Sequence, residues 1–347
     1  MREALSWVQE AGVLQVPVDL PVGNAEGATE GHGSGAAGEE APAVFGGVPQ
    51  ADGEVPSRLC SEEDEEAEEA GEAMIGVVIE ITRRCNMACP HCVRGEKQAF
   101  DMPDAVIDVV GRRLGEIEIS TFTITGGEPF LKLDRLNRLC DSLEANGVTF
   151  EDLWIATNGV YLKPDRIKVI ERLLAMATNQ LGPAVEISND QYHVGHLPAP
   201  FNDPELARAL YPWVGYRGEM KSVIGEGRGE ALTEGTRSVE IADDYIYITA
   251  KGDISLSCDL SFEHLDQCAV STIFDRDAFL AIVRAVDVMA DVADYGIDPE
   301  DDDAMSMEAA LELRCEQIAA LLNAGVRLND SDSSWFFNNC DVDGLLI

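Results

Sequence analysis

Three cysteines fall within eight residues, in Cys85-Asn86-Met87-Ala88-Cys89-Pro90-His91-Cys92. Spacings of four and three residues let three thiolates wrap one small cluster inside a single loop. Iron–sulfur clusters generally take four thiolates, one per iron, so three leave one iron open to an outside ligand. An open iron can bind a substrate or cofactor instead of only passing electrons. Three other readings stay open on the triplet alone. Cys89-Pro90-His91-Cys92 has the spacing of a redox dithiol, in which a helix N-terminus lowers the first thiol's pKa and Cys85 is surplus. A structural zinc site would need a second Cys or His pair about 12 to 20 residues further on, and the sequence has none there. Buried thiols are the third reading, although three in one short loop make a poor core.

A second constellation follows at Thr125-Gly126-Gly127-Glu128-Pro129. Two glycines permit positive φ and close backbone approach to a ligand, and Glu128 offers a carboxylate to an ammonium group. A turn alone would also use Gly-Gly and Pro. Taken with the cysteines, the motif resembles the radical S-adenosylmethionine (radical SAM) superfamily, over roughly residues 75–260. The resemblance implies that Cys85, Cys89 and Cys92 bind a [4Fe–4S] cluster, with His91 in the usually aromatic place before the third cysteine. It implies that Gly126, Gly127, Glu128 and Pro129 hold the methionine amino group of S-adenosyl-L-methionine. Thr157-Asn158-Gly159 and Ser188-Asn189-Asp190 look like companion motifs, with Asn158 at the cofactor and Ser188 and Asn189 toward the ribose hydroxyls. Arg228, in the glycine-rich segment 223–230, is a candidate for the methionine carboxylate, against the plainer reading of a flexible loop.

The activity implied is reductive cleavage of S-adenosylmethionine to methionine and a 5′-deoxyadenosyl radical, which removes hydrogen from a substrate. Such an oxidoreductase would draw electrons from a flavodoxin- or ferredoxin-type donor. The substrate is a small molecule or a peptide, with a peptide favoured because no nucleotide or phosphate motif stands out. The competing class is a cysteine-based redox or metal-binding module without radical chemistry.

These residues need elements to hold them. Short β-branched runs at 75–81, 117–125, 153–157 and 184–188 read as buried strands, with weaker candidates at 239–242 and 245–249. Helical spacing lies between them: Val106, Val109, Val110 and Leu114 after Pro103; Leu133 to Leu143, stopped by Asn146-Gly147; and Ile167 to Met176 after Pro164. Repeated βα units predict an α/β fold, a partial (β/α)6 TIM-like barrel. All four motifs fall at carboxyl ends of strands, where such folds place chemistry. Further helices are expected at about 277–289 and 307–324.

Residues 1–74 form an acidic Gly/Ala/Glu-rich tail, with 17 acids against 2 bases and one short helix at most, at 4–18. Such composition cannot bury enough apolar surface to offset ordering entropy and predicts disorder. The partial barrel is expected over 75–260 and a mainly helical extension over 261–347. The 347-residue chain carries 64 acids and 25 bases, a net charge of −39. That balance argues against nucleic acid and anionic membranes as partners. No apolar run approaches the roughly 18 residues of a membrane span, and the start lacks a secretory pattern, which predicts a cytoplasmic protein with reduced thiols. Cys140 and Cys315 lie on apolar helix faces and read as core thiols. Cys258 and Cys268 could begin an auxiliary cluster, but the spacing on to Cys315 and Cys340 departs from the closely spaced downstream cysteines of family members with such domains and argues against one. Arg83 and Arg84, beside the cysteine loop, are candidates for a basic patch facing an acidic reductase.

Overall fold

The computed structural model describes residues 74–193, 195–233, 237–295 and 304–340. The expected acidic tail, with its possible helix at 4–18, lies outside the described residues. β1 (Met74–Glu80) is buried along its whole length after Met74, as befits a central parallel strand covered on both faces. β2 (Glu118–Thr125), β3 (Asp152–Thr157), β4 (Val185–Ser188) and β5 (Val214–Arg217) follow in parallel, each beside its predecessor. β6 (Tyr245–Ile248) crosses back to the free side of β1, also parallel, with Ile79 in register with both Ile124 and Ile248. β7 (Asp253–Ser255) and β8 (Ser271–Thr272) extend that edge antiparallel. The sheet order is β5-β4-β3-β2-β1-β6-β7-β8, and the sheet does not close.

The α/β class and six parallel strands therefore match expectation, with the sixth beside the first. The segment at 239–242 is not a strand: Val239 makes an isolated bridge to Leu328.

α1 (Asp104–Leu114), α2 (Leu133–Ala145) and α3 (Pro164–Leu174) connect the first four strands and bury the faces that periodicity marked, including Val106, Leu139 and Ile170. α4 (Pro204–Leu210) is capped by the Asp203 carboxylate, which accepts from the amides of Glu205 and Leu206. After β7 come α5 (Phe262–Gln267), α6 (Arg276–Tyr295), α7 (Ala304–Asn323) and α8 (Asp330–Asn339). Among the described residues, no helix is long and apolar enough to cross a membrane.

Strand alternation sorts the sheet into two faces. Phe122, Ile124, Leu153 and Ile155 are fully buried in the core. The residues between them, Thr121, Thr123, Thr125, Trp154 and Ala156, line a cavity on the opposite face.

Two expectations are corrected by packing. Cys315 and Cys340 are not free thiols: α7 and the end of α8 bring their α-carbons to 6.1 Å, and a disulfide joins them. Arg83 is not a surface cation. Its side chain is wholly buried, with Nε donating to Glu80 Oε1 at 2.6 Å and the two terminal nitrogens to Asp266. Arg84 remains half-exposed and pairs with Asp101. Cys140 is a buried thiol, as expected.

Candidate active site

The cysteine loop leaves β1 directly, and its geometry is set by the chain beside it. The stretch after β1 runs along the end of β2: Gly127 N donates to Thr82 O at 2.7 Å and Glu128 N to Arg84 O at 2.8 Å. The glycines are needed for this approach. Gly126 has φ of +136°, and a Cβ there would stand 2.3 Å from Thr82 O. The close approach expected toward a ligand is thus made first to the protein's own backbone. On the far side, Gly227 (φ +58°) fits against the loop where a Cβ would meet Val93 O at 2.3 Å, and Arg228 N donates to Cys92 O. Segment 223–230 is thereby a packed support for the cysteine loop, which corrects the reading of a flexible glycine loop.

Cys85, Cys89 and Cys92 all face a cavity of about 770 Å³, together with Gly126, Gly127 and Glu128. Cys85 Sγ accepts from Met87 N at 3.4 Å. Burial pushes the Cys85 thiol up. It pushes Cys89 up to about 11, helped by the neighbouring Cys92 and Cys85 sulfurs. Crowded thiols such as Cys85 and Cys89, which resist ionisation, need cationic charge beside them to become thiolates, which bound iron supplies. The donor set therefore fits a metal–sulfur cluster.

Glu128 has a different role from the one its charge suggests. It is 1% exposed, and its carboxylate accepts from Phe130 N, Thr157 Oγ1 and Asn158 N at 3.1, 2.8 and 2.8 Å. These bonds tie the end of β2 to the end of β3. Burial pushes Glu128 up to about 7 in spite of its donors. Asn158 completes the tie by donating Nδ2 to Asn86 Oδ1 in the cysteine loop.

The remaining expected residues divide. Asn158, Ser188 and Arg228 line the cavity, and Arg228 Nε is buried without a hydrogen-bond partner. Pro129 is buried and opens a 3-10 turn, Pro129–Leu131, away from the lining. Asn189 is exposed, with its amide donating to Arg217 O. The alternation that faces Ser188 inward turns Asn189 outward and brings Asp190 into the wall in its place.

Arg94 and Tyr245 line the cavity without having carried a chemical signal in the sequence. Arg94 is buried, donates to Leu260 O at 2.8 Å and lies over the Tyr247 ring. Tyr245 donates its hydroxyl to Cys258 Sγ at 3.0 Å at the inner end of the cavity. Cys268 instead faces α7, with Sγ on Ala320 O, so the two downstream cysteines have different surroundings. His91 stacks on Tyr192 with ring centroids 4.7 Å apart and meets His193 edge-on at 5.0 Å. Burial opposes the charge on Asp190, but bonds from His193 Nδ1 and the Tyr192 amide outweigh it and hold the carboxyl below its usual range. In the sequence His193 and His196 could each bind a metal or touch substrate, against the plainer reading of a solvated loop; the structure places His193, but not His196, in the cavity wall.

Thiols, glycines and polar strand-end residues gathered over the carboxyl ends of parallel strands define an α/β protein with a thiol-lined ligand cavity. Residues 79–200 match the family model of the Radical SAM superfamily. The chain is 38% identical over 94 residues to a probable GTP 3′,8-cyclase of Methanopyrus kandleri, covering 26% of this chain and 29% of the relative. It is 30% identical over 176 residues to a probable GTP 3′,8-cyclase of Archaeoglobus fulgidus, covering 50% of each. The chain thus spans half or less of the length of these curated relatives. Among solved structures it is similar to anSMEcpe with bound AdoMet (TM-score 0.40, 14% identity, 58% of this chain and 78% of that one). It is also similar to Streptococcus suis SuiB bound to the precursor peptide SuiA (TM-score 0.32, 12% identity, 68% and 70%).

Proposed function

We propose that the protein is a radical SAM enzyme in which Cys85, Cys89 and Cys92 hold a [4Fe–4S] cluster whose fourth iron chelates S-adenosylmethionine. When bound, the cluster and its cofactor supply a 5′-deoxyadenosyl radical that takes a hydrogen atom from the substrate. The observation that carries this reading is the meeting of all three thiols with Gly126–Glu128 on one cavity at the carboxyl ends of β1 and β2.

The chain's own residues do the rest. The backbone around Gly126 and Gly127 presents its remaining polar groups to the methionine amino group. Arg228, with an unpartnered buried Nε, meets the methionine carboxylate. Ser188 offers its hydroxyl to the ribose. The Glu128 ties to Thr157 and Asn158 fix the distance between these groups, which radical transfer requires because reacting atoms must be held near contact. The inner half of the cavity, beside Thr121, Trp154, Tyr245 and Cys258, takes the substrate. A volume of about 770 Å³ suits the cofactor plus one compact molecule or the side chains of a peptide reaching in. The relatives' name supplies GTP as one candidate small molecule. A flavodoxin- or ferredoxin-type protein supplies the electron in a cytoplasmic setting.

Anaerobic reconstitution with iron and sulfide tests the assignment. About four irons and four sulfides per chain are expected, with 5′-deoxyadenosine released on dithionite reduction in the presence of S-adenosylmethionine. Cys89→Ala should abolish both signals. Redox cycling of the thiols with no cluster and no 5′-deoxyadenosine would favour a thiol redox module instead.

A further inference from the structure

His91, Asp190 and His193 come from two separate loops, one carrying the cysteines and one following β4, yet they offer ligand atoms within 4.8 Å of one another. Two features mark the group as more than loop packing. Asp190 is 6% exposed, and its Oδ2 is buried with no hydrogen-bond partner. His91 Nδ1 is also buried with no partner. A buried polar atom left unsatisfied costs on the order of 1–3 kcal/mol, so two in one group call for a shared occupant. The group is also pre-ordered. Asp190 Oδ1 binds His193 Nδ1 at 2.8 Å and the Tyr192 amide at 2.9 Å, and the His91 ring is held against Tyr192. All three residues face the cavity.

We propose that His91, Asp190 and His193 form a mononuclear divalent metal site, separate from the cluster thiols, in the cavity wall. Two imidazoles and one carboxylate suit zinc or a similar borderline transition ion, and they disfavour calcium and magnesium, which take oxygen ligands. On one ion at about 2.1 Å each, ligand atoms would lie no more than about 4.2 Å apart. Closing the site from 4.8 Å therefore needs only a side-chain adjustment of roughly half an ångström. Three protein ligands leave a coordination position open, and here it faces the cavity. An oxygen or nitrogen donor of the substrate can fill it, which would fix the substrate's orientation beside the cysteine loop. That last role rests on the proposed function above; the metal site itself stands on its own residues.

Cobalt(II) binding tests the site without any turnover. The full chain is loaded with iron and sulfide, desalted and dialysed against Co2+. The Cys85→Ser/Cys89→Ser/Cys92→Ser chain is treated in parallel, so that the result does not depend on the cluster. Both should hold one Co2+ per chain, with weak ligand-field absorption and no sulfur-to-cobalt charge-transfer band in the serine chain. Asp190→Asn, His193→Gln and His91→Phe, the last keeping the aromatic stack, should each weaken binding by about tenfold or more with unchanged circular dichroism. Absence of the bound ion in the serine chain, or binding unaltered by Asp190→Asn and His193→Gln, would overturn the site. Failure of the loaded chain to assemble a cluster, with cobalt still bound by the serine chain, counts against the proposed function alone and supports the metal site.

Discussion

At the scale of single residues, Glu128 shows how a motif carboxylate can serve the protein more directly than the ligand. Its oxygens accept three donors from two strand ends while buried. Glu128→Gln puts an amide nitrogen where at least one N–H or hydroxyl now finds an acceptor, and a loss of about 1–3 kcal/mol in urea unfolding is expected. A protonated carboxyl is less disruptive, because its hydroxyl oxygen still accepts. The sign of the pH effect follows. Burial raises Glu128 from its ordinary 4.5 to about 7, so the folded chain holds a proton that the unfolded chain releases. This group's contribution to stability is full below about pH 4.5 and declines as pH rises toward 7. Unfolding midpoints taken across that window should show the decline in the parent chain and lose that component in Glu128→Gln. A parallel slope in the two chains would show that Glu128 is ionised throughout.

At the scale of elements, the site depends on two backbones that touch, the exit of β1 and the exit of β2. Gly126→Ala sets a side chain 2.3 Å from Thr82 O at a φ that L-residues avoid. Strain alone should cost about 1–3 kcal/mol, with the clash added, and splaying the two exits should lower iron retention after reconstitution. A variant that keeps parental stability and iron content would show that the contact can relax. The same elements show what the sequence made legible. The cysteine loop and the Gly-Gly-Glu-Pro turn are local strings, so their chemistry could be read without a fold. Helices α1 to α3 carry periodic apolar faces, and β2 and β3 alternate clearly enough to separate core from cavity. β5 escaped because Val214-Gly215-Tyr216-Arg217 is short and interrupted by glycine. Residues 239–242 misled because burial there comes from packing near α8, not from a sheet ladder. The grouping of His91 with Asp190 and His193 was hidden for another reason: it exists only once the β1 and β4 loops meet over the cavity. Likewise, Arg83 beside a cysteine loop looked like a surface charge until Glu80 and Asp266 enclosed it.

At the scale of the whole molecule, two kinds of electrostatics coexist and salt should separate them. The net charge is −39, of which residues 1–74 carry −15 and the remainder −24. Like charges spread over a surface repel across distances that salt screens, the Debye length falling from about 10 Å at 0.1 M to about 3 Å at 1 M. Thermal midpoints should therefore rise with sodium chloride over that range, and still rise after residues 1–74 are removed. The ion pair of Arg83 with Glu80 lies in a region that screening does not reach, since both side chains are 0% exposed. Glu80 also accepts from Tyr247 Oη at 2.9 Å and Ala250 N at 3.0 Å, so this one buried carboxylate joins β1, β6 and the turn into β7. Arg83→Met would leave that carboxylate without its cation, at a cost of about 3–5 kcal/mol. Because the loss arises from a buried charge, 1 M salt should raise the midpoints of parent and variant by similar amounts and leave the gap between them. If salt closes the gap, the Arg83 pair is reached by solvent, and the joint between β1 and β6 is looser than its geometry indicates.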